Sequence, residues 1–410
     1  MILFYIFALV LTVHGGKLRT VHEWKYIDYE FVNSQHRQQA ILSGEYNYTQ
    51  CAIIDTDEAR DGRKFLTIVK QKGVPASLVT VSKLYGPGGP LVSPYPDWSW
   101  ASKNDCTGIT GVYRVTIDAC HRLWVLDTGV VGSDQVCPAQ LLVFDLINDQ
   151  LLRKITIPMK FATSSSSKRG LLVTPVVDSS KDCQVHNVYI ADVEGYGLIV
   201  YDGTDIWRLE SKVFKPDPNG VKFTIAGESF VLEDGILGMD LADKYSPHSK
   251  LLYFKPLGSF NQFAISTEAL SQSRDKSVTY YKSNYKMPSQ SAAQAFSSRG
   301  ILFFGPTANT SLACWNYKKE FNQDNIVTVA QDEERLQFLS GMKVKRFPRR
   351  PEKVLMASNR YQKIMAGTMN FNEVNFRILE GPVQSLIADT NCVPSSNTEG
   401  KPLEGFSKTS

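Results

Sequence analysis

The chain has 410 residues, with 45 Lys and Arg against 41 Asp and Glu, a net charge of +4, and 43% hydrophobic and 11% aromatic residues. A charge this small and this evenly spread excludes the basic footprint of a nucleic-acid binder, and the one basic run, Lys343–Arg350 (KVKRFPRR), reads as a solvated loop. The apolar share is enough for a large core, and no segment after the N-terminus has the roughly 20 apolar residues of a membrane span.

Residues 1–16 (MILFYIFALVLTVHGG) join a short apolar run, Ile2–Val13, to Gly15 and Gly16, the pattern of a cleaved secretory signal. The mature chain is therefore expected to be secreted and extracellular, without a membrane anchor. Export permits disulfides, and there are seven cysteines: Cys51, Cys106, Cys120, Cys137, Cys183, Cys314 and Cys392. None forms a CxxC pair, which argues against zinc ribbons and thioredoxin-like sites, and the odd number leaves one thiol over. Two sequons, at Asn47 and Asn309, are expected to carry N-glycans.

From residue 63 onward one pattern recurs. A basic or polar residue is followed by an apolar-aromatic strand and a polar turn, in RKFLTIV at Phe65, RLWVLD at Trp124 and NVYIAD at Tyr189. It continues in KLLYFKP at Tyr253, GILFFGP at Phe303 and KVLMASN at Leu355, the anchors lying 50 to 65 residues apart. Each strand is followed by a second: Leu78–Lys83, Leu141–Leu146, Leu198–Asp202, Gln262–Thr267, Leu312–Asn316 and Asn375–Leu379. Strand pairs at near-regular spacing, with little helical periodicity, predict an all-β repeat. Six such units around an axis bury both faces of every sheet, so a six-bladed β-propeller over residues 17–392 is the expected fold. The alternative, two tandem β-sandwiches, calls for a central linker, and no Pro/Gly/Ser-rich break is found there. Residues 393–410 (VPSSNTEGKPLEGFSKTS) are polar and are expected to be disordered.

Asp127-Thr128-Gly129 has the form of an aspartic-protease loop, but that chemistry needs a second carboxylate and no second Asp-Thr/Ser-Gly exists. Its position after an anchor strand, like Asp192–Gly195 and Lys255–Gly258, makes it a turn. Of the histidines (14, 22, 36, 121, 186 and 248) none forms HxH or HExxH; there is no GxSxG, and the prolines in Gly86–Pro90 remove amides that a phosphate cradle needs. No catalytic residue, metal site or cofactor is assigned.

Several stretches resemble the yellow / major royal jelly protein family of insects: HEWKYIDYEF (22–31), RQQAILSGEYNY (37–48), GGPLVSPYPDWSW (88–100), CHRLWVLDTG (120–129), YIADVEGYGLIVYD (189–202), ESFVLEDGILGMDL (228–241) and NFNEVNFRIL (370–379). SGEYNY, ILFFG, TVAQDEERLQ (328–337) and NRYQK (359–363) are similar to the royal-jelly-like branch. The resemblance implies a secreted six-bladed propeller in which Cys106, Cys120, Cys137, Cys183, Cys314 and Cys392 match family positions and Cys51 does not. On the blade map, Cys120 and Cys183 enter adjacent units at the same end. Cys314 and Cys392 belong to the closing units, and Cys106 and Cys137 flank the second. The expected bridges are thus Cys120–Cys183, Cys314–Cys392 and Cys106–Cys137.

The resemblance further implies a non-enzymatic nutritive, secretory or carrier protein. It would hold a small apolar or aromatic, sterol-like ligand at the channel, and form oligomers with copies of itself or with a small partner protein. A yellow-type role in cuticle pigmentation, converting dopachrome, is the alternative. Venom or salivary relatives that bind amines are a third reading. In those relatives a Thr, then an Asn followed two residues later by an aromatic residue, line the pocket; the matching positions here are Met342, Asn359 and Tyr361.

Overall fold

All six anchors, Phe65 through Leu355, lie on the second strand of an antiparallel sheet, and the companion runs are the third strands. The computed structural model describes residues 17–101, 105–180, 182–246, 249–274, 278–394 and 401–409; the signal segment lies outside them. Blade 1 is formed by Ile53–Glu58, Lys64–Ile68, Leu78–Gly86 and Gly89–Pro94, and blade 2 by Val112–Ile117, Arg122–Asp127, Gln140–Asp145 and Gln150–Thr156. Blade 3 contains Leu172–Ser179, Val185–Asp192, Gly197–Tyr201 and Ile206–Glu210; blade 4 contains Ile236–Ser246, Ser249–Pro256, Phe263–Ser266 and Tyr280–Ser283. Blade 5 contains Ser291–Phe296, Ile301–Pro306, Ser311–Asn316 and Ile326–Gln331. Blade 6 takes Phe338–Lys345, Lys353–Asn359 and Phe376–Pro382 from the end of the chain and its outer strand, Arg19–Trp24, from the beginning. That pairing, with Trp24 opposite Phe376, closes the ring non-covalently.

The first strands touch in a closed cycle from blade 1 round to blade 6, enclosing a channel. The chain is a six-bladed β-propeller. Side chains on a strand alternate between faces, so a strand between two neighbours buries both sets. Phe65 faces a core shared with blade 2, Trp124 one shared with blade 3, and Tyr189 one shared with blade 4. Tyr253, Phe303 and Leu355 continue the rule at the last three interfaces. Their neighbours Leu66, Val125 and Ile190 face the preceding blade. This two-sided burial is why most of the second and third strands read as apolar runs.

Three disulfides join Cys106 to Cys137, Cys120 to Cys183 and Cys314 to Cys392. The second ties the first hairpin of blade 2 to that of blade 3. Cys51 is a buried free thiol, 3.6 Å from the Asn47 carbonyl, and burial pushes it up to about 12.

Two expectations are corrected. The basic run is not a loop throughout: Lys343 and Lys345 belong to the inner strand Phe338–Lys345, where Asp55 and Asp57 neutralise them. The C-terminal tail is not disordered over its described part. Phe406–Thr409 is a fifth strand on blade 4, because Phe406 finds an aromatic cleft formed by Phe321, Trp315 and Tyr253. One aromatic in a polar tail is lost in any compositional average.

Candidate binding site in the channel

The inner strand is the edge of its blade, so one row of its backbone amides has no ladder partner. Aspartates supply the missing acceptors. Asp55 accepts from the Val115 amide at 3.2 Å, Asp57 from Ile117 at 2.8 Å, and Asp240 from Phe296 at 2.6 Å, each across to the next blade. Asp55 also pairs with Lys343 at 2.8 Å, and Asp57 pairs with Lys345, from the preceding blade. The charges along the axis are therefore structural stitches.

Arg114 of blade 2 crosses the channel. Its guanidinium donates to Thr174 Oγ1 at 3.3 Å, to the Leu237 carbonyl at 3.4 Å and to the Ser340 carbonyl, joining blades 3, 4 and 6. Its residue is 4% exposed, and desolvation lowers its proton affinity while Asp55 opposes that effect. Arg114 lines two cavities, one at each end of the inner strands. The chamber at their C-terminal ends, about 280 Å³, is polar and includes Asp57, Asp240, Lys343, Lys345 and Met342. The pocket at their N-terminal ends, about 220 Å³, is walled largely by apolar side chains.

That apolar pocket is walled by a loop helix of blade 6 and by the segment joining blades 3 and 4. Strand Lys353–Asn359 runs into a helix, Tyr361–Ala366, whose left-handed cap is Gly367 (φ 70°). The turn places Tyr361 in the wall, stacked on Phe338 at 5.0 Å and edge-on to Phe230 at 5.8 Å. Phe230 belongs to a hairpin, Lys222–Ile225 with Glu228–Val231, inserted between blades 3 and 4. The chain leaving this hairpin brings Asp234 into the same wall, with Tyr113 and Leu237. Among the described residues no amide or side chain donates to the Asp234 carboxylate. Burial, aided by the negative Glu194, pushes it up to about 7. Burial also raises Tyr113 to about 12, and the charges of Glu194 and Asp234 add to that. A single carboxyl poised near neutrality in an aromatic-lined pocket can donate a hydrogen bond when protonated or face a cation when ionised.

The three residues expected to share a ligand site are separated. Tyr361 lines the apolar pocket, and Met342 lines the polar chamber beyond Arg114. Asn359 is 2% exposed and donates to the Ile53 carbonyl at 2.8 Å and to Ser340 Oγ at 3.1 Å, tying blade 6 to blade 1. Asp234, Phe338, Tyr113 and Arg114 were not singled out in the sequence. The available signal was the pair Glu233-Asp234 itself, two acids set between the apolar runs Phe230–Leu232 and Ile236–Leu237 in ESFVLEDGILGMDL.

Other chemistry is accounted for by structure. Asp127 is fully buried and accepts from the amides of Thr110, Gly111 and Gly129 and from Gln140 Nε2, at 2.8 to 3.0 Å. Gly129 takes φ 69°, so the Asp-Thr-Gly triplet is the turn leaving a blade strand. Lys255 is pushed down to about 7 by burial, yet its ammonium reaches Ser291 Oγ at 3.2 Å and it lines neither chamber. Among the described residues no group of three or more His, Cys, Asp or Glu is placed to hold a metal, and no helix is long and apolar enough to cross a membrane. Asn47 and Asn309 are both exposed, and Thr49 Oγ1 donates to Asn47 Oδ1 at 2.9 Å.

A sequence model of the family described as Major royal jelly protein matches residues 110–392. The chain is 44% identical over 395 residues to major royal jelly protein 8 of Apis mellifera, covering 92% of this chain and 93% of that one. It is 44% identical over 382 residues to major royal jelly protein 9 of the same bee, covering 90% and 89%. Among solved structures, virginiamycin B lyase from Staphylococcus aureus aligns with 81% of this chain and 95% of its own, at 11% identity and a TM-score of 0.40. Its likeness, at that score, carries no functional argument. By the family match and the two bee relatives, the chain belongs to the major royal jelly protein family.

Proposed function

We propose that this protein is a secreted, N-glycosylated, non-enzymatic carrier of the royal-jelly type, holding a small aromatic ligand in the apolar end of its channel. The observation that carries the reading is the pocket wall of Tyr361, Phe338 and Tyr113 around the lone carboxyl of Asp234. Its volume, about 220 Å³, lies below the roughly 300–1,000 Å³ usual for ligand pockets. That size favours a one- or two-ring body over a sterol skeleton. The signal-like N-terminus and three disulfides support export, and the exposed Asn47 and Asn309 support glycans at both sequons.

Asp234 favours a more specific second reading, an aromatic amine. Ammonium over aromatic faces and beside a carboxylate is well matched. Met342 in place of a threonine does not weigh against it, since Met342 lies in the other chamber. Calorimetric titration at pH 8 with tryptamine, tryptophol and cholesterol tests both readings. Saturable binding of either indole, lost in Tyr361→Ala, supports the carrier; tryptamine binding more tightly than tryptophol supports the amine. No binding of either indole overturns the aromatic-carrier reading. Incubation with dopachrome tests the pigmentation alternative, and saturable acceleration of its loss overturns the non-enzyme assignment.

A further inference from the structure

Blade 4 differs from the other five: its outer strand, Tyr280–Ser283, is covered by the chain's own C-terminus. The register runs antiparallel from Tyr280 opposite Thr409 to Ser283 opposite Phe406. Three features make this a receptor for one particular sequence. Phe406 enters the cleft between blades 4 and 5, its ring 5.6 Å from Phe321, 6.1 Å from Trp315 and 6.1 Å from Tyr253. The Phe321 amide donates to the Glu404 carbonyl at 3.0 Å, and the Asn284 amide to the Gly405 carbonyl at 2.8 Å. Gly405 takes φ 82° where a Cβ would lie 2.9 Å from the Phe321 nitrogen, so the segment must turn on glycine there.

The occupant is nonetheless held lightly. The strand has four residues, largely exposed but for its first and last, and Leu403 before it is in the left-handed region (φ 71°). Its root is firm: Cys392 is bridged to Cys314, next to Trp315 in the receiving cleft. Only eight residues separate Cys392 from Lys401. Docking in cis thus benefits from an effective concentration in the millimolar range, which a second copy can match only when the protein is itself that concentrated.

We propose that the outer edge of blade 4 is a strand-addition site and that its alternative occupant is the C-terminal strand of a second copy. Two chains then exchange tails reciprocally to form a dimer. The exchange adds no new type of contact, because each groove receives the same Leu403–Thr409 segment it holds in the monomer; this is the basis of domain swapping. It goes beyond the carrier reading and does not depend on it, since the groove shares no residue with the channel pocket.

The test uses the chain truncated after Gly400 and a fluorescent peptide of residues 401–410. The truncated protein is expected to bind the peptide saturably, full-length protein at least tenfold more weakly, and the Phe406→Ala peptide not at all. Analytical ultracentrifugation of the full-length protein is expected to show a dimer fraction that grows toward millimolar concentration and is absent from the truncated chain. If truncation prevents folding, a protease site placed between Pro394 and Lys401 releases the tail after folding, and exchange against labelled peptide is then followed directly. Failure of a folded, tail-free protein to take up the peptide overturns the proposal. So does a dimer that persists without the tail.

Discussion

Arg114 donates to the backbone carbonyl of Ser340 across the axis of the propeller, joining residues 226 positions apart in the chain. This contact divides the channel. On one side lie the paired charges of the inner strands; on the other lie Tyr361 and Asp234. Replacing Arg114 by Met leaves the Ser340 carbonyl without this donor in a buried site, while the Leu237 carbonyl keeps the Thr174 hydroxyl at 2.7 Å. The loss at Ser340 costs on the order of 1–3 kcal/mol. The R114M protein is expected to unfold at lower denaturant concentration with an unchanged m-value, and an unchanged midpoint would show that the bridge carries no stability.

Asp234 should make stability and binding depend on pH in opposite ways. Its folded pKa, about 7, lies above the unfolded carboxylate value of about 4, so the folded state holds the proton more tightly. Its contribution is present in full below the unfolded value and is lost as pH rises to about 7. Asp234→Asn is therefore expected to raise the melting temperature at pH 8 and to leave it nearly unchanged at pH 4. Melting curves at the two pH values check the sign.

For ligand binding the ionised form is the useful one if the ligand is an amine. Affinity for tryptamine should strengthen as pH rises from 6 to 8, and the Asp234→Asn protein should lose that dependence. Titration calorimetry across this range reads both.

Lys345 and Asp57 form a buried pair, 8% and 1% exposed. Removing one partner strands a charge and costs about 3–5 kcal/mol, whereas replacing both with apolar groups is often close to neutral. Asp57 also accepts the Ile117 amide, so the double variant should recover only part of the loss. Asp57→Leu and Lys345→Met should each destabilise strongly, and the double variant less than their sum. A double-mutant cycle in urea measures the coupling, and strict additivity would falsify it.

The Cys120–Cys183 bridge spans 63 residues and links two blades at their first hairpins. Replacing both cysteines by serine should cost about 2–4 kcal/mol. The fold should survive, because the core shared by Trp124, Val188 and Ile199 still joins these blades. Circular dichroism with thermal melting checks both halves of this expectation.

The six anchors and most of their companion strands were legible in the sequence because they are buried on both faces and mainly apolar, with only single interruptions such as Thr67 and Arg377. The inner strands were not. IIDTDE (53–58) carries two aspartates and a glutamate, and FLSGMKVK (338–345) two lysines, a pattern that reads as surface until the partner strand is known. Ring closure by Arg19–Trp24 was likewise hidden, since its partner lies more than 350 residues away.

What the amino-acid order determined by itself was local: strand periodicity, turn positions, and the six-fold recurrence that leaves a propeller as the way to cover every apolar face. What the tertiary structure alone decided was which distant groups share a place. It put Tyr361 with Asp234 and set Met342 apart from both, and it gave Phe406 a cleft between two blades. The reason is geometric: the channel and the blade edges are made of residues contributed by separate sheets, and proximity across sheets leaves no periodic trace along the chain.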